Sequence, residues 1–564
     1  MDKADRGHAN ETVASGQPVA GASRRDILIA GLAGVAVPGL AGLAVPLVAP
    51  LASLPAKAAP TVPPAMNHAP AGAGAPRSAG PSFEADLGAG SPLRIPFTPG
   101  ERLREPEVRR SVDGVLATTL RAAYGYRDIG GYRLYLRGYE GQMPGPTLRV
   151  QPGDVLRLTL INDLPPNREQ MPAFMNQPHM LNLTNFHFHG GHVSPAGVSD
   201  NVLRTMVPGS RYEVEIRIPQ DHPRGTYWYH PHHHGSADVQ LSSGMVGVLI
   251  IEDGPEQVPE VVAAKDVTMV LGEVVFDGFG MVEGFEALFS ETSVRFLSLN
   301  GQRAPTITMR PGEVQRWRLV HAGYQDDLFL HLAGHRMEAI ARDGIGLVLM
   351  GEGQVCTDQP ERTDAVLIAP GQRIDVLVKA GAPGSYALQA LPYNQGYPSP
   401  FGPIATLMVE GEPLDMALPG RLAPPPLPTI RDEEITNRRE LVFSAVVPEA
   451  EAAAHWREFT FLIDGKVFDI NRVDHAITLG AVEEWTLVNA HFHDHIFHIH
   501  VNPFELIKVN GDPIPPVWLD TVVLPRNGSL TFRSRFTDFP GRYVLHCHMM
   551  NHEEMGMMQL IEVS

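Results

Sequence analysis

Thr147–Asn162 reads TLRVQPGDVLRLTLIN, Thr306–His321 reads TITMRPGEVQRWRLVH, and His475–Ala490 reads HAITLGAVEEWTLVNA. Each begins with a short apolar-alternating run, turns at Gly153, Gly312 or Gly480, and resumes alternation for about eight residues. Alternation with period two puts one face of a strand in a core and the other in solvent. The three copies lie about 160 residues apart, so the chain is built from one β unit used three times.

A second element recurs downstream of each copy. VPGSRYEVEIRIPQDHPRGTYWYH ends at His230, IAPGQRIDVLVKAGAPGSYALQ at Gln389, and LPRNGSLTFRSRFTDFPGRYVLHCH at His548. The alternating strand, Gly-containing loop and aromatic-led strand read as a hairpin, and three such units as antiparallel β-sandwiches in tandem. The partition expected is 91–253, 254–418 and 419–564, the second boundary falling near the proline-rich LAPPPLPT, 422–429. The middle copy ends in YALQA where its neighbours end in YWYHPH and YVLHCH, which makes it a spacer without metal ligands.

Composition agrees with a multidomain β protein. The 564 residues exceed one core, and glycine (55) and proline (51) favour turns over long helices. A formal net charge of −18 with no compensating basic run argues against a nucleic-acid partner. Two cysteines cannot build a disulfide framework. Cys356, in GQVCTDQ, reads as a plain thiol. Near the N-terminus, Ser23-Arg24-Arg25-Asp26 precedes an uncharged Ala/Gly/Leu/Val-rich run and Ala56-Lys57-Ala58. This pattern reads as a twin-arginine (Tat) export signal over 1–58, with the Tat machinery as a partner and a periplasmic or extracellular destination. The alternative is an uncleaved membrane anchor, which the many Gly and Pro residues disfavour. Residues 59–90, rich in Ala, Pro and Gly, read as a disordered linker.

Four histidine clusters carry the chemistry: His187 and His189; His230 and His232; His495, His498 and His500; and His546-Cys547-His548 with His552 and Met557. On a strand, residues i and i+2 share a face about 6–7 Å apart, so each H-x-H pair presents two imidazoles to one site. The eight residues His187, His189, His230, His232, His498, His500, His546 and His548 are too many for one ion and suit a cluster of three. A structural zinc would take four ligands and stop. Cys547, His552 and His495 remain, with Met557 as a weak axial thioether: the His₂Cys plus long Met set of blue-copper electron transfer. Cys547 faces one side of its strand and His546 and His548 the other, so one tripeptide joins the two sites. His192, His233, His234, His491 and His493 lie off this pattern.

The four clusters, in order and type, resemble the copper motifs of the three-domain multicopper oxidases, the family of laccases and bacterial cuprous oxidases, over essentially the whole chain after the leader. The last, H-C-H-x-x-x-H-x-x-x-x-M, is highly specific. The resemblance implies an all-β fold of three tandem cupredoxin-like Greek-key β-sandwich domains and four Cu ions. A type 1 copper falls on His495, Cys547, His552 and Met557, and a type 2 copper on His187 and His498. The type 3 pair falls on His189, His230 and His548, and on His232, His500 and His546. Asp200, eleven residues past His189, and Glu553, next to His552, match acids that supply protons in relatives. The implied reaction couples one-electron oxidation of a phenol or aromatic amine to four-electron reduction of O2 to water. The donor docks at the edge of His495 or His552. The alternative is oxidation of Cu(I), Fe(II) or Mn(II) in metal tolerance, for which the chain lacks a methionine-rich insert. An axial Met places the type 1 potential toward the lower end. The third motif also departs from the family, with Ile496 where proline is usual. Copper-free structural relatives and two-domain nitrite reductases would lack ligands present here.

Overall fold

The computed structural model describes residues 94–254, 257–282, 284–290, 292–347, 364–423, 427–446 and 459–564. The export-signal and linker readings, over 1–58 and 59–90, and Cys356 fall outside the described residues. No helix among the described residues is long and apolar enough to cross a membrane.

Six sheets pair into three sandwiches. In the first, a sheet ordered Val108–Arg110, Thr147–Val150, Gly247–Ile251, Gly225–His230, His187–His189 faces one ordered Tyr132–Tyr139, Val115–Ile129, Val155–Asn162, Arg211–Arg217. Leu148, Val150, Tyr229 and Leu249 from one sheet and Leu120, Leu156, Leu158 and Ile216 from the other share one core. The second and third sandwiches repeat this plan, with Trp317 and Trp485 in the register position that Leu158 holds in the first. Both tryptophans are fully buried, and each indole N–H donates to the side chain two residues earlier, Gln315 at 3.1 Å and Glu483 at 2.9 Å. Such satisfied aromatics anchor a core: truncation of one costs about 3–5 kcal/mol.

Two expectations are corrected. The recurring strand pairs are not hairpins. Arg211–Arg217 lies in the four-stranded sheet and Gly225–His230 in the sheet opposite. Arg373–Lys379 and Gly384–Leu391 divide in the same way, as do Ser529–Phe536 and Gly541–Cys547. Each loop arches over the core, because two strands that each hide one face bury more by facing one another than by lying edge to edge. The turns at Gly153, Gly312 and Gly480, all with φ between 79° and 92°, likewise send the chain from one sheet to the other. The sheets are also mixed, not antiparallel: Val155–Asn162 runs parallel to Val115–Ile129, Val314–His321 to Lys265–Phe276, and Ala481–Asn489 to Asn437–Val446. Alternation reports which face is buried and is silent about which strand is the neighbour.

Candidate metal centre

His187 and His189 occupy the short edge strand of the first sandwich, antiparallel to Gly225–His230, with His187 opposite His230. His495 and His498 lie on His495–Ile499, paired to Gly541–Cys547 with His498 opposite His546. The other member of three H-x-H pairs, His232, His500 or His548, sits just past its strand's end. Within each pair the ring centres are 5.1–5.8 Å apart, as same-face neighbours should be.

The first and third sandwiches bring these edges together. The His187 and His500 rings stack at 3.9 Å, as do those of His189 and His498. Three groups of ligand atoms form here, each with all members within 4.8 Å of one another: His187, His189 and His498; His189, His230 and His548; His232, His500 and His546. A fourth, His495, Cys547 and His552, lies within the third sandwich. The Nδ1 atoms of His495 and His552 are 3.1 Å apart, and each is 3.6 Å from Cys547 Sγ. Met557 is fully buried; its carbonyl accepts from the Cys547 amide at 3.0 Å, and its amide donates to the His552 carbonyl at 2.9 Å. Cys547 thus joins the fourth group, while its flanking His546 and His548 join two of the others.

The donor chemistry fits bound cations. Burial, reinforced by neighbouring rings, holds the pKa of His187, His189, His230, His500, His546 and His548 well below the ordinary imidazole value, and His232 falls to about 4. His230, His498 and His546 donate Nδ1–H to the carbonyls of Pro231 (2.8 Å), Asp520 (2.8 Å) and Cys547 (3.1 Å). A carbonyl only accepts, so Nδ1 carries the hydrogen in each, and a ring with no second proton has its lone pair on Nε2. Nε2 of His187, His230 and His498, Nδ1 of His189 and both nitrogens of His548 have no hydrogen-bond partner although fully buried. Nε2 of His546 instead faces Nε2 of His232 at 3.1 Å and of His500 at 3.3 Å. Buried unpaired acceptors converging on shared points are costly without a cation to bind. At the fourth group, burial pushes the Cys547 thiol up to about 12, while the Ile496 and Met549 amides pull the other way. A metal would claim the thiolate.

Both expected acids border the cluster. Asp200 Oδ2 lies 3.1 Å from His187 Nδ1 and Oδ1 accepts from the Phe188 amide at 2.8 Å; burial lifts its pKa to about 8 against that amide's pull. Glu553 is fully buried, with Oε2 3.1 Å from His546 Nδ1 and Oε1 3.5 Å from His232 Nδ1. The His546 N–H is aimed at the Cys547 carbonyl, so neither Glu553 oxygen receives a well-aligned hydrogen bond. Burial raises its pKa, opposed by His232 and His498. The expected docking edges are covered: His495 is fully buried and His552 is 3% exposed, its ring under Phe461 at 3.8 Å.

Sequence reasoning missed the support behind the cluster. Thr521 Oγ1 lies 3.2 Å from His189 Nε2 and 3.0 Å from His498 Nδ1, and donates to Asp520 at 2.7 Å. The middle sandwich, expected to be only a spacer, supplies Arg373 to Asp520, the Gln372 side-chain amide to the Thr521 carbonyl (2.9 Å), and Asp343 to the amides of Asp520 and Thr521 (3.1 and 3.0 Å). The signal was present: Asp520 interrupts the apolar run VWLDTVVL, and Arg373 and Asp375 interrupt the otherwise apolar run RIDVLV.

Profiles described as multicopper oxidase match residues 174–256, 263–410 and 443–564. A multicopper oxidase of Staphylococcus haemolyticus is 24% identical over 436 residues, covering 76% of this chain and 83% of that one. A laccase of Bacillus stratosphericus is 23% identical over 497 residues, covering 78% and 92%. In fold, the chain is similar to a multicopper oxidase from Campylobacter jejuni described as a metallo-oxidase, with TM-score 0.66 and 24% identity over 85% of this chain and 99% of that one. Three matched domains and donor sets for four copper ions lead to one conclusion: the chain belongs to the multicopper oxidase family, copper oxidoreductases that use O2.

Proposed function

We propose that this oxidase takes electrons from phenolic or aromatic amine donors. The observation carrying this reading is the ring ladder that leads to His495. The His491 ring stacks on His495 with centroids 5.2 Å apart. Phe492 (4.4 Å from His491) is 52% exposed, and His493 (4.8 Å) is half-buried. An aromatic donor stacks on Phe492 and hands its electron inward through His491.

The ligand roles proposed are His495, Cys547, His552 and Met557 for type 1; His187 and His498 for type 2; and His189, His230, His548 with His232, His500, His546 for the type 3 pair. When bound, the coppers supply one-electron acceptance at the cysteine and four-electron reduction of O2 at the histidine nest. Cys547 provides the covalent path, since its backbone continues directly into His546 and His548. Asp200 and Glu553 hold protons beside the nest and release them as O2 is reduced, consistent with carboxyls whose pKa burial raises. The Arg24-Arg25 leader supports export by the Tat route and work outside the cytoplasm.

One observation favours a second reading, oxidation of Cu(I), Fe(II) or Mn(II). Both ring nitrogens of His491 are buried and unpartnered beside His493, a donor pair for an incoming ion, and a solved relative is described as a metallo-oxidase. Oxygen uptake by one copper-loaded sample with phenols, aromatic amines and the three ions decides between them. Higher kcat/KM for the aromatics is expected; faster turnover of an ion transfers the assignment.

A further inference from the structure

Ile496 stands where the family pattern has proline, and its backbone N–H has an acceptor that a proline could not use. It points at Cys547 Sγ, 3.4 Å away. Both residues are sealed from water, Ile496 at 1% and Cys547 at 0% exposure. The strands His495–Ile499 and Gly541–Cys547 are neighbours, with Phe497 opposite Cys547, which brings the Ile496 amide over the sulfur. The Ile496 carbonyl accepts from the His548 amide at 2.6 Å, so the residue is clamped on both sides of the Cys547 side chain. A buried amide must find an acceptor, and here the acceptor is the thiolate that the proposed type 1 ligand set uses.

We infer that the Ile496 amide is a potential-setting group of the type 1 site, and through it a determinant of which donors the enzyme oxidises. The reasoning is electrostatic. A hydrogen bond to the sulfur stabilises negative charge on it. The reduced site, with one more electron, carries more of that charge than the oxidised site, so the bond favours reduction. Proline has no N–H and cannot make it. As a thioether donor in the proposed type 1 set, Met557 would pull the potential down; the Ile496 amide would offset that pull. The donor range therefore extends to phenols and amines harder to oxidise than the ligand set alone would allow. This rests on the type 1 assignment above, and the experiment separates the two.

The test compares copper-loaded full-length parent, Ile496→Pro and Ile496→Val by redox titration followed at the blue absorption band. Ile496→Pro removes the N–H in question together with the buried branched side chain; Ile496→Val keeps the N–H, along with the β-branched side chain. The Pro variant is expected to lower the equilibrium constant for one-electron reduction about tenfold, ~59 mV, with the Val variant within about twofold of the parent. A blue Pro variant with unchanged potential overturns the inference. Where the Pro variant does not fold, the parent labelled with 15N-isoleucine decides. Pulsed EPR of the oxidised site is expected to show coupling to one 15N nucleus, and absence of that coupling overturns the inference. A copper-loaded parent with no blue band overturns the type 1 assignment itself.

Discussion

Arg373 of the middle sandwich and Asp520 of the third meet in a two-pronged ion pair, Nη1 to Oδ1 at 2.8 Å and Nη2 to Oδ2 at 2.5 Å, with both side chains buried. Arg373 Nε also donates to the Thr226 carbonyl of the first sandwich at 3.2 Å, so one guanidinium touches all three. Gly190 leaves room for it: a Cβ there, already strained at φ 81°, would lie 2.3 Å from Arg373 and 2.4 Å from Asp520.

Removing one partner of such a pair leaves an uncompensated buried charge. Arg373→Met is expected to destabilise the metal-free protein by about 3–5 kcal/mol in denaturant unfolding. Arg373→Lys should fall between, because an ammonium lacks the flat fork. A loss under about 1 kcal/mol for the Met variant would contradict the role given to this pair.

Asp266 joins the first two sandwiches through Arg149 (2.8 Å) and Arg318 (3.0 Å). Burial alone would raise its pKa, but Arg318 and Arg316 bring it down to about 2. A folded-state pKa below the unfolded value of ~3.9 adds stability that is complete above that value and disappears as pH falls toward the folded one. Parent should therefore exceed Asp266→Asn by on the order of 2 kcal/mol at pH 7, a gap that closes largely between about pH 4 and 2. Paired unfolding curves at both ends check the sign; a gap that widens in acid refutes it.

Asp200→Asn and Glu553→Gln keep shape and remove the ionisable carboxyl proton. Oxygen uptake should fall by at least about a hundredfold in each, with the blue band retained. Full turnover in either variant would reduce that acid to a hydrogen-bonding role.

Cys547→Ser should abolish both the blue band and turnover, because it removes the sulfur from the fourth donor group and with it that group's link to the backbone leading to His546 and His548. Cys356→Ser should remain blue and active.

His491→Phe preserves the ring against His495 and deletes its nitrogens. Phenol oxidation should hold within a few fold, while oxidation of a metal ion should drop about tenfold, the effect of one lost contact of ~1.4 kcal/mol. Equal losses for both donor classes would remove His491 from the ion-binding reading.

Much of this centre was legible before any coordinates, for a physical reason. Ligands such as His187 and His189 lie two apart in sequence because strand geometry makes i and i+2 share a face, so their relationship is local. Arg373 and Asp520 are 147 residues apart and belong to different repeats, and no local rule links them. The same distinction explains the fold. The buried faces of Val155–Asn162 and Ser529–Phe536 follow from alternation, whereas hydrogen-bonded neighbours are settled by long-range packing, and the expected hairpins became arches. Burial of His495 and His552 was invisible because Phe461 and His491, which cover them, arrive from a separate strand and a loop.

The His495, Cys547 and His552 donors all come from one sandwich, whereas each of the other three groups draws on both outer ones. Colour is therefore private to a single domain and oxygen chemistry is communal. Any breathing that parts the outer domains by an ångström or two would leave the protein blue and able to accept one electron, yet unable to burn oxygen. Visible absorbance alone is thus a poor certificate of a working enzyme, and a bright but idle preparation signals slackened domain closure before it signals missing copper.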